Sequence, residues 1–170
     1  LAQYSRASTN AWRNRALRYN YEPGSTFKAA VLTAAIEERA VSPADMIDCE
    51  EGRWRYRGPA LNDHHPYGML TVADVLKHSS NIGAAKIALR LGKERLYNYL
   101  REFGFGRPTG IDLPAEEVGL LAPPELWTPM SITRIAIGHE VSVTALQMVN
   151  FMTAVANRGV MMRPYVVKRI

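Results

Sequence analysis

From Ala29 to Ile36 the chain reads Ala-Ala-Val-Leu-Thr-Ala-Ala-Ile, with no charge on any face. A helix that is apolar all round belongs inside a core rather than on a surface, so the fold must be built around this one. The residues just before it are Tyr21-Glu22-Pro23-Gly24-Ser25-Thr26-Phe27-Lys28, a Pro-Gly turn followed by a serine and a lysine. Residues at i and i+3 share a helix face, so the Lys28 amine can reach the Ser25 hydroxyl. A serine needs an adjacent base to act as a nucleophile at neutral pH. A lysine can be that base only when neutral, the form that burial favours. The positive end of the helix dipole favours the same uncharged amine and a developing oxyanion. Ser25 and Lys28 are therefore the candidate nucleophile and base. Ser-x-x-Lys alone is a common pattern; the Pro-Gly lead-in and the uncharged helix give it weight.

With that lead-in, the octet resembles the first motif of the penicillin-binding proteins, serine D,D-transpeptidases that cross-link peptidoglycan. Lys77-His78-Ser79-Ser80-Asn81-Ile82-Gly83 resembles the second, Ser-x-Asn, and Ser79 follows Ser25 by about fifty residues, as in the monofunctional (class B) members. On spacing alone Ser79-Ser80-Asn81 reads as a capping or turn cluster; beside Ser25 and Lys28 it reads as part of a site. Asn14-Arg15-Ala16-Leu17, the run Gly106 to Pro114 and the run Ile137 to Gln147 are similar to further family segments, in the same order. The resemblance is to the division-specific type and covers nearly the whole chain.

The resemblance implies an α+β fold, an antiparallel sheet flanked by helices, of which this stretch supplies mostly the helices. It implies that Ser25 attacks the penultimate D-alanine carbonyl of a stem peptide, with Lys28 as base and the Ser25 N–H as one oxyanion donor. Ser79 would relay the proton to the leaving amine, and Asn81, whose amide both donates and accepts, would hold Lys28 and the substrate. The partners implied are peptidoglycan stem peptides, β-lactams as inhibitors, and glycan polymerases and division proteins. The location implied is the periplasmic face of the inner membrane, through an anchor outside this stretch. No cofactor is called for. The family's third motif, Lys-Thr-Gly or Lys-Ser-Gly, does not occur in the sequence. The chain therefore reads as a single partial domain, residues 1–170, of a longer protein lacking its terminal strands, with little activity by itself. A compact relative without the third motif is the alternative. Glu140 stands where the family commonly has glycine. A D,D-carboxypeptidase, a serine β-lactamase and a non-catalytic interaction module are the competing functions.

Composition bounds the rest. Hydrophobic residues at 47% and charged residues at 22% describe a globular domain with a real core. The single cysteine, Cys49, excludes an internal disulfide. The net charge of +5 is spread over scattered residues such as Arg13, Arg15, Arg18, Arg53, Arg55 and Arg57, without the motifs of a nucleic-acid-binding module. Asp63-His64-His65 has no third ligand at a metal-binding spacing, His78 reads as a helix C-terminal residue, and Glu37-Glu38 and Glu116-Glu117 read as solvated surface.

Along the chain, residues 1–20 read as an irregular polar lead-in and Met46 to His65 as a small hairpin. Thr71 opens a short helix ending near Lys77, and helices run from Ile82 to Leu91 and from Lys93 to Phe103, the last closed by Gly104. Gly104 to Pro129 should be an extended loop pinned by its hydrophobic residues. Thr144-x-x-Gln147 is a capping box opening a helix with Leu146, Val149, Met152 and Val155 on one face, read as core. Without the strands expected beyond Ile170, apolar faces of that helix and of the one after Lys28 should be left unpaired in this stretch.

Overall fold

The computed structural model describes residues 13–168, an α+β arrangement with seven α-helices and four short strands among them. Helix α2 (Lys28–Glu37) is its axis, contacting α3 (Val72–Lys77), α4 (Asn81–Leu91) and α5 (Lys93–Glu102). Ala30, Val31, Ala34 and Ala35 are fully buried, so the uncharged run does form the core, and its alanines let neighbouring helices come close. Phe27, in the 3-10 turn Gly24–Phe27 that precedes α2, is buried too. Its ring lies 4.9 Å from that of Phe105, which lies 5.7 Å from Phe151 on α7 (Ala145–Ala156). Burying each such ring contributes about 1.5–3 kcal/mol, so the turn carrying Ser25 is anchored through the aromatic side chain beside it.

The strands form two antiparallel pairs. Strand β1 (Met46–Asp48) pairs with β4 (Met69–Thr71), and β2 (Arg53–Arg55) with β3 (Ala60–Asn62). The hairpin expected over Met46 to His65 is therefore confined to β2 and β3. Ile47, fully buried, faces the core, and β4 is the strand that leads directly into a core helix. There Thr71 Oγ1 accepts the Asp74 N–H at 3.0 Å and caps α3.

The polar lead-in departs from expectation in its described part. Arg15–Arg18 form helix α1, capped by Asn14 Oδ1 on the Ala16 N–H at 3.1 Å, with Leu17 buried. A single buried leucine among arginines is too weak a periodic signal to read. The rest of the lead-in, residues 1–12, lies outside the described residues. Helix α4 starts at Asn81 rather than Ile82, with Ser80 as N-cap.

The capping box is present: Thr144 Oγ1 accepts the Gln147 N–H at 3.2 Å, and Gln147 Oε1 accepts the Thr144 N–H at 2.9 Å. Its helix leaves one apolar face uncovered, as expected for this stretch. Met148, Phe151 and Ala154 face the core, whereas Val149, Met152 and Val155 are 61%, 48% and 44% exposed. Helix α7 is apolar on two faces, and periodicity alone does not say which one Phe151 draws inward. The outward face borders Leu76 and Ala29 around an open apolar groove of about 650 Å³ that reaches Ser25.

The loop from Gly104 to Pro129 is pinned by Phe105, Leu121 and Trp127, while Leu120 is exposed and pairs through its backbone with Ser142. Glu116, expected as free surface, instead accepts hydrogen bonds from the Thr109 N–H and hydroxyl at 2.8 and 2.6 Å and holds the loop's turn. No described helix is long and apolar enough to cross a membrane.

Candidate active site

Ser25 is exposed in the 3-10 turn, and Lys28, at the first position of α2, is 1% exposed. One turn of helix brings Lys28 Nζ to 3.2 Å from Ser25 Oγ. Ser79 and Asn81 close around the same amine from the α3–α4 junction: Nζ lies 2.9 Å from Ser79 Oγ, 2.5 Å from the Ser79 main-chain oxygen and 2.7 Å from Asn81 Oδ1. All four residues singled out in the sequence thus meet at one atom.

The junction folds this way for local reasons. Helix α3 ends in a Schellman arrangement, in which the Ser79 N–H reaches the Leu76 oxygen at 3.1 Å and the Ser80 N–H the Val75 oxygen at 3.0 Å. That arrangement puts Ser79 at φ +56°, a left-handed conformation glycine usually fills. Ser80 then caps α4, its Oγ accepting the Gly83 N–H at 2.9 Å. Gly83 has no Cβ because one would stand 2.5 Å from a Val75 methyl, so α4 can lie close on α3.

Asp63, considered in the sequence only among histidines, organises this corner. Its carboxylate accepts the Ser80 hydroxyl at 2.6 Å and the Asn81 and Ile82 N–H groups at the start of α4. Asn81 Nδ2 donates to the Asn62 oxygen at 2.8 Å, which turns Oδ1 toward Lys28. Nothing in the local spacing marks Asp63 for this role; the chain fold brings it to Ser80. His64 and His65 are exposed, His78 is the C-cap of α3, and Cys49 is buried beside Ser80. Among the described residues, no group of three or more His, Cys, Asp or Glu is placed to hold a metal ion.

Burial lowers the Lys28 pKa from 10.5 to about 8, against the opposing pull of Asp63, which raises it. The hydrogen-bond inventory then sorts the four neighbours. The Ser79 main-chain oxygen and Asn81 Oδ1 can only accept, so they take both N–H groups of a neutral amine. The remaining lone pair is left to the two serine hydroxyls, which can donate. The arrangement can therefore take a proton from one hydroxyl and return it through the other.

A helix-borne serine beside a buried, neutral-prone lysine, with a second serine and an amide on that lysine, defines the serine–lysine class of acyl-transfer site. The comparisons narrow the class. The penicillin binding protein transpeptidase domain model matches residues 1–170, and the chain belongs to that family. It is 39% identical over 158 residues to stage V sporulation protein D of Bacillus subtilis, covering 92% of this chain and 24% of that protein. It is 35% identical over 157 residues to penicillin-binding protein PbpB of Mycobacterium tuberculosis, covering 91% and 23%. Among solved structures it resembles a peptidoglycan glycosyltransferase from Burkholderia ambifaria, with TM-score 0.90, 31% identity, and 94% of this chain against 50% of that one. It also resembles penicillin binding protein 3 of M. tuberculosis complexed with aztreonam, with TM-score 0.85, 35% identity, and 91% against 35%. The chain thus spans about a quarter of the length of the curated relatives it matches. Glu140 adopts φ +57°, a left-handed conformation that glycine usually fills.

Proposed function

We propose that this chain is the nucleophile-bearing part of a peptidoglycan D,D-transpeptidase. The observation that carries the reading is the Lys28 amine, almost fully buried and placed between two serine hydroxyls. Ser25 Oγ attacks the penultimate D-alanine carbonyl as its proton passes to Lys28 Nζ. The tetrahedral oxyanion is met by the Ser25 N–H, which the first turn of a helix leaves without an intrahelical partner. As the C–N bond breaks, Ser79 Oγ gives its proton to the departing D-alanine amine and is reprotonated from Lys28. The ester on Ser25 is then attacked by the amine of a neighbouring stem peptide, the same groups moving protons in reverse, which forms the cross-link and frees the serine. Asn81 holds Lys28 and binds the substrate peptide.

A β-lactam carbonyl presented to Ser25 would open its ring and leave the same kind of ester. The solved relative complexed with aztreonam supports this. We place this work on the outer face of a bacterial membrane, beside glycan polymerases and division proteins, through an anchor elsewhere in the protein; a relative named a peptidoglycan D,D-transpeptidase, from Escherichia coli, supports the cell-wall reading.

The test is intact mass spectrometry of the full-length protein after treatment with benzylpenicillin. One adduct, on the peptide holding Ser25 and absent from Ser25→Ala, is expected. An adduct that persists in Ser25→Ala overturns the assignment. Incubation with a stem pentapeptide and an acceptor amine separates cross-linking from hydrolysis to the free acid.

A further inference from the structure

The segment that leads into Ser25 is fastened along its length to residues 138–143. Tyr21 and Val143 exchange two backbone hydrogen bonds of 3.0 Å, and the Gly24 N–H donates to the Gly138 oxygen at 3.1 Å. Between these backbone contacts lies Glu22. One of its carboxylate oxygens lies 2.8 Å from His139 Nδ1, and the other accepts the Glu140 N–H at 3.0 Å. The turn it grips is an unusual one. Gly138 has φ +79° and Glu140 φ +57°, and a Cβ on Gly138 would clash with the Gly24 backbone, most closely with its oxygen. Two left-handed residues flank His139; the Gly138 and His139 N–H groups reach the Ile135 and Arg134 oxygens at 2.9 and 3.0 Å, while the Glu140 N–H is taken by Glu22. Both contacts lower the Glu22 pKa, the His139 hydrogen bond more than the Glu140 N–H, so the carboxylate is ionised and acts only as acceptor.

We propose that Glu22 is a positioning residue for the nucleophile: by clamping His139 and the Glu140 N–H it sets the Pro23–Gly24 turn, and with it the distance from Ser25 Oγ to Lys28. This rests on Ser25 being the nucleophile of the proposed reaction. Glu22 is not among the hydrogen-bond partners of Lys28 or the residues lining the groove, and both it and His139 are about half exposed. An exposed side-chain pair of this kind adds little to global stability. Its effect is local, because a nucleophile displaced by about 1 Å can lose a hundred-fold in rate. Glu140 contributes its N–H whatever its side chain, so the departure from glycine leaves the clamp intact. His139 supplies the second arm.

The experiment compares parent, Glu22→Ala, Glu22→Gln and His139→Ala in the full-length protein. Reaction with a fluorescent penicillin, followed by stopped flow, separates the dissociation constant of the first complex from the limiting acylation rate. Hydrogen exchange is measured at the Gly24 and Ser25 amides. For Glu22→Ala the limiting rate should fall about ten- to a hundred-fold with the dissociation constant nearly unchanged, and exchange should rise at residues 22–26 and 138–141 alone. Glu22→Gln, which keeps one carbonyl acceptor, should recover much of the rate, and His139→Ala should fall between. An unchanged limiting rate in Glu22→Ala with a lowered melting temperature overturns the proposal, since Glu22 would then be a structural staple only. If the parent is not acylated at all, the functional reading fails instead. Exchange then decides the clamp by itself: local loosening supports it, and unchanged exchange at Gly24 and Ser25 overturns it.

Discussion

The main-chain oxygen of Ser79 lies 2.5 Å from Lys28 Nζ, nearer than the Ser25 hydroxyl at 3.2 Å. Ser79 therefore serves the lysine twice, through its carbonyl and through its hydroxyl, and the left-handed backbone at φ +56° makes both possible.

The two contributions can be separated. Ser79→Gly keeps the carbonyl anchor, removes the hydroxyl and relaxes the backbone; it should leave melting unchanged or raise stability by up to about 1 kcal/mol. Ser79→Ala keeps the strain and also loses the hydroxyl. Both should be strongly impaired in acyl transfer, with the glycine variant the more stable. Calorimetry beside a peptide cross-linking assay checks this. A glycine variant less stable than the alanine variant would mean the left-handed conformation carries no strain.

Acylation should depend on pH through the Lys28 amine. With a pKa of about 8, the neutral form is a minor fraction at pH 7 and grows as pH rises, so the rate should climb and level off above that value. Asp63 raises the Lys28 pKa, so removing its charge lowers it. Asp63→Asn is near-isosteric and can still accept from the Asn81 and Ile82 N–H groups. It should move the rising limb of the pH–rate profile to lower pH. A limb that does not move would show that Asp63 acts on α4 alone and not on the charge of Lys28.

The outward face of α7 gives a stability test. Met152 is 48% exposed beside the apolar groove, so Met152→Glu in the 170-residue chain should be neutral within about 0.5 kcal/mol and should reduce binding of a hydrophobic dye. In the full-length protein the same change should destabilise by about 2 kcal/mol or more, the effect of a charge buried without a partner. Denaturant melts of both proteins measure it. Equal effects in the two would show that nothing further packs on this face.

Much of this was legible because local chemistry dictated it. The Ala29–Ile36 run could only be buried, Thr144 and Gln147 wrote a capping box, and Ser25 and Lys28 had to share a face. The meeting of Lys28 with Ser79 and Asn81 was legible only through the family's motif order, since no spacing rule joins residues fifty apart. Asp63 and Glu22 were missed for the same reason: each acts on backbone N–H groups distant in sequence, and a carboxylate gives no periodic signal of that. An uncovered apolar face on α7 was legible, but not that Met148, Phe151 and Ala154 form the inward one, because both faces are apolar and the Phe27–Phe105–Phe151 contacts make the choice.

The Glu22 carboxylate and the Glu140 N–H are 118 residues apart in the chain. At a synthesis rate of roughly 5–20 residues per second, the serine is made some 6 to 24 seconds before the backbone that fastens its turn. Lys28 likewise waits for Ser79 and Asn81. During that interval Ser25 is a hydroxyl on an untethered turn, beside a solvated lysine that stays protonated. Reactivity therefore arrives late, as a property of the closed chain rather than of the motif, and the nascent polypeptide is chemically quiet until its own later residues fold back over it.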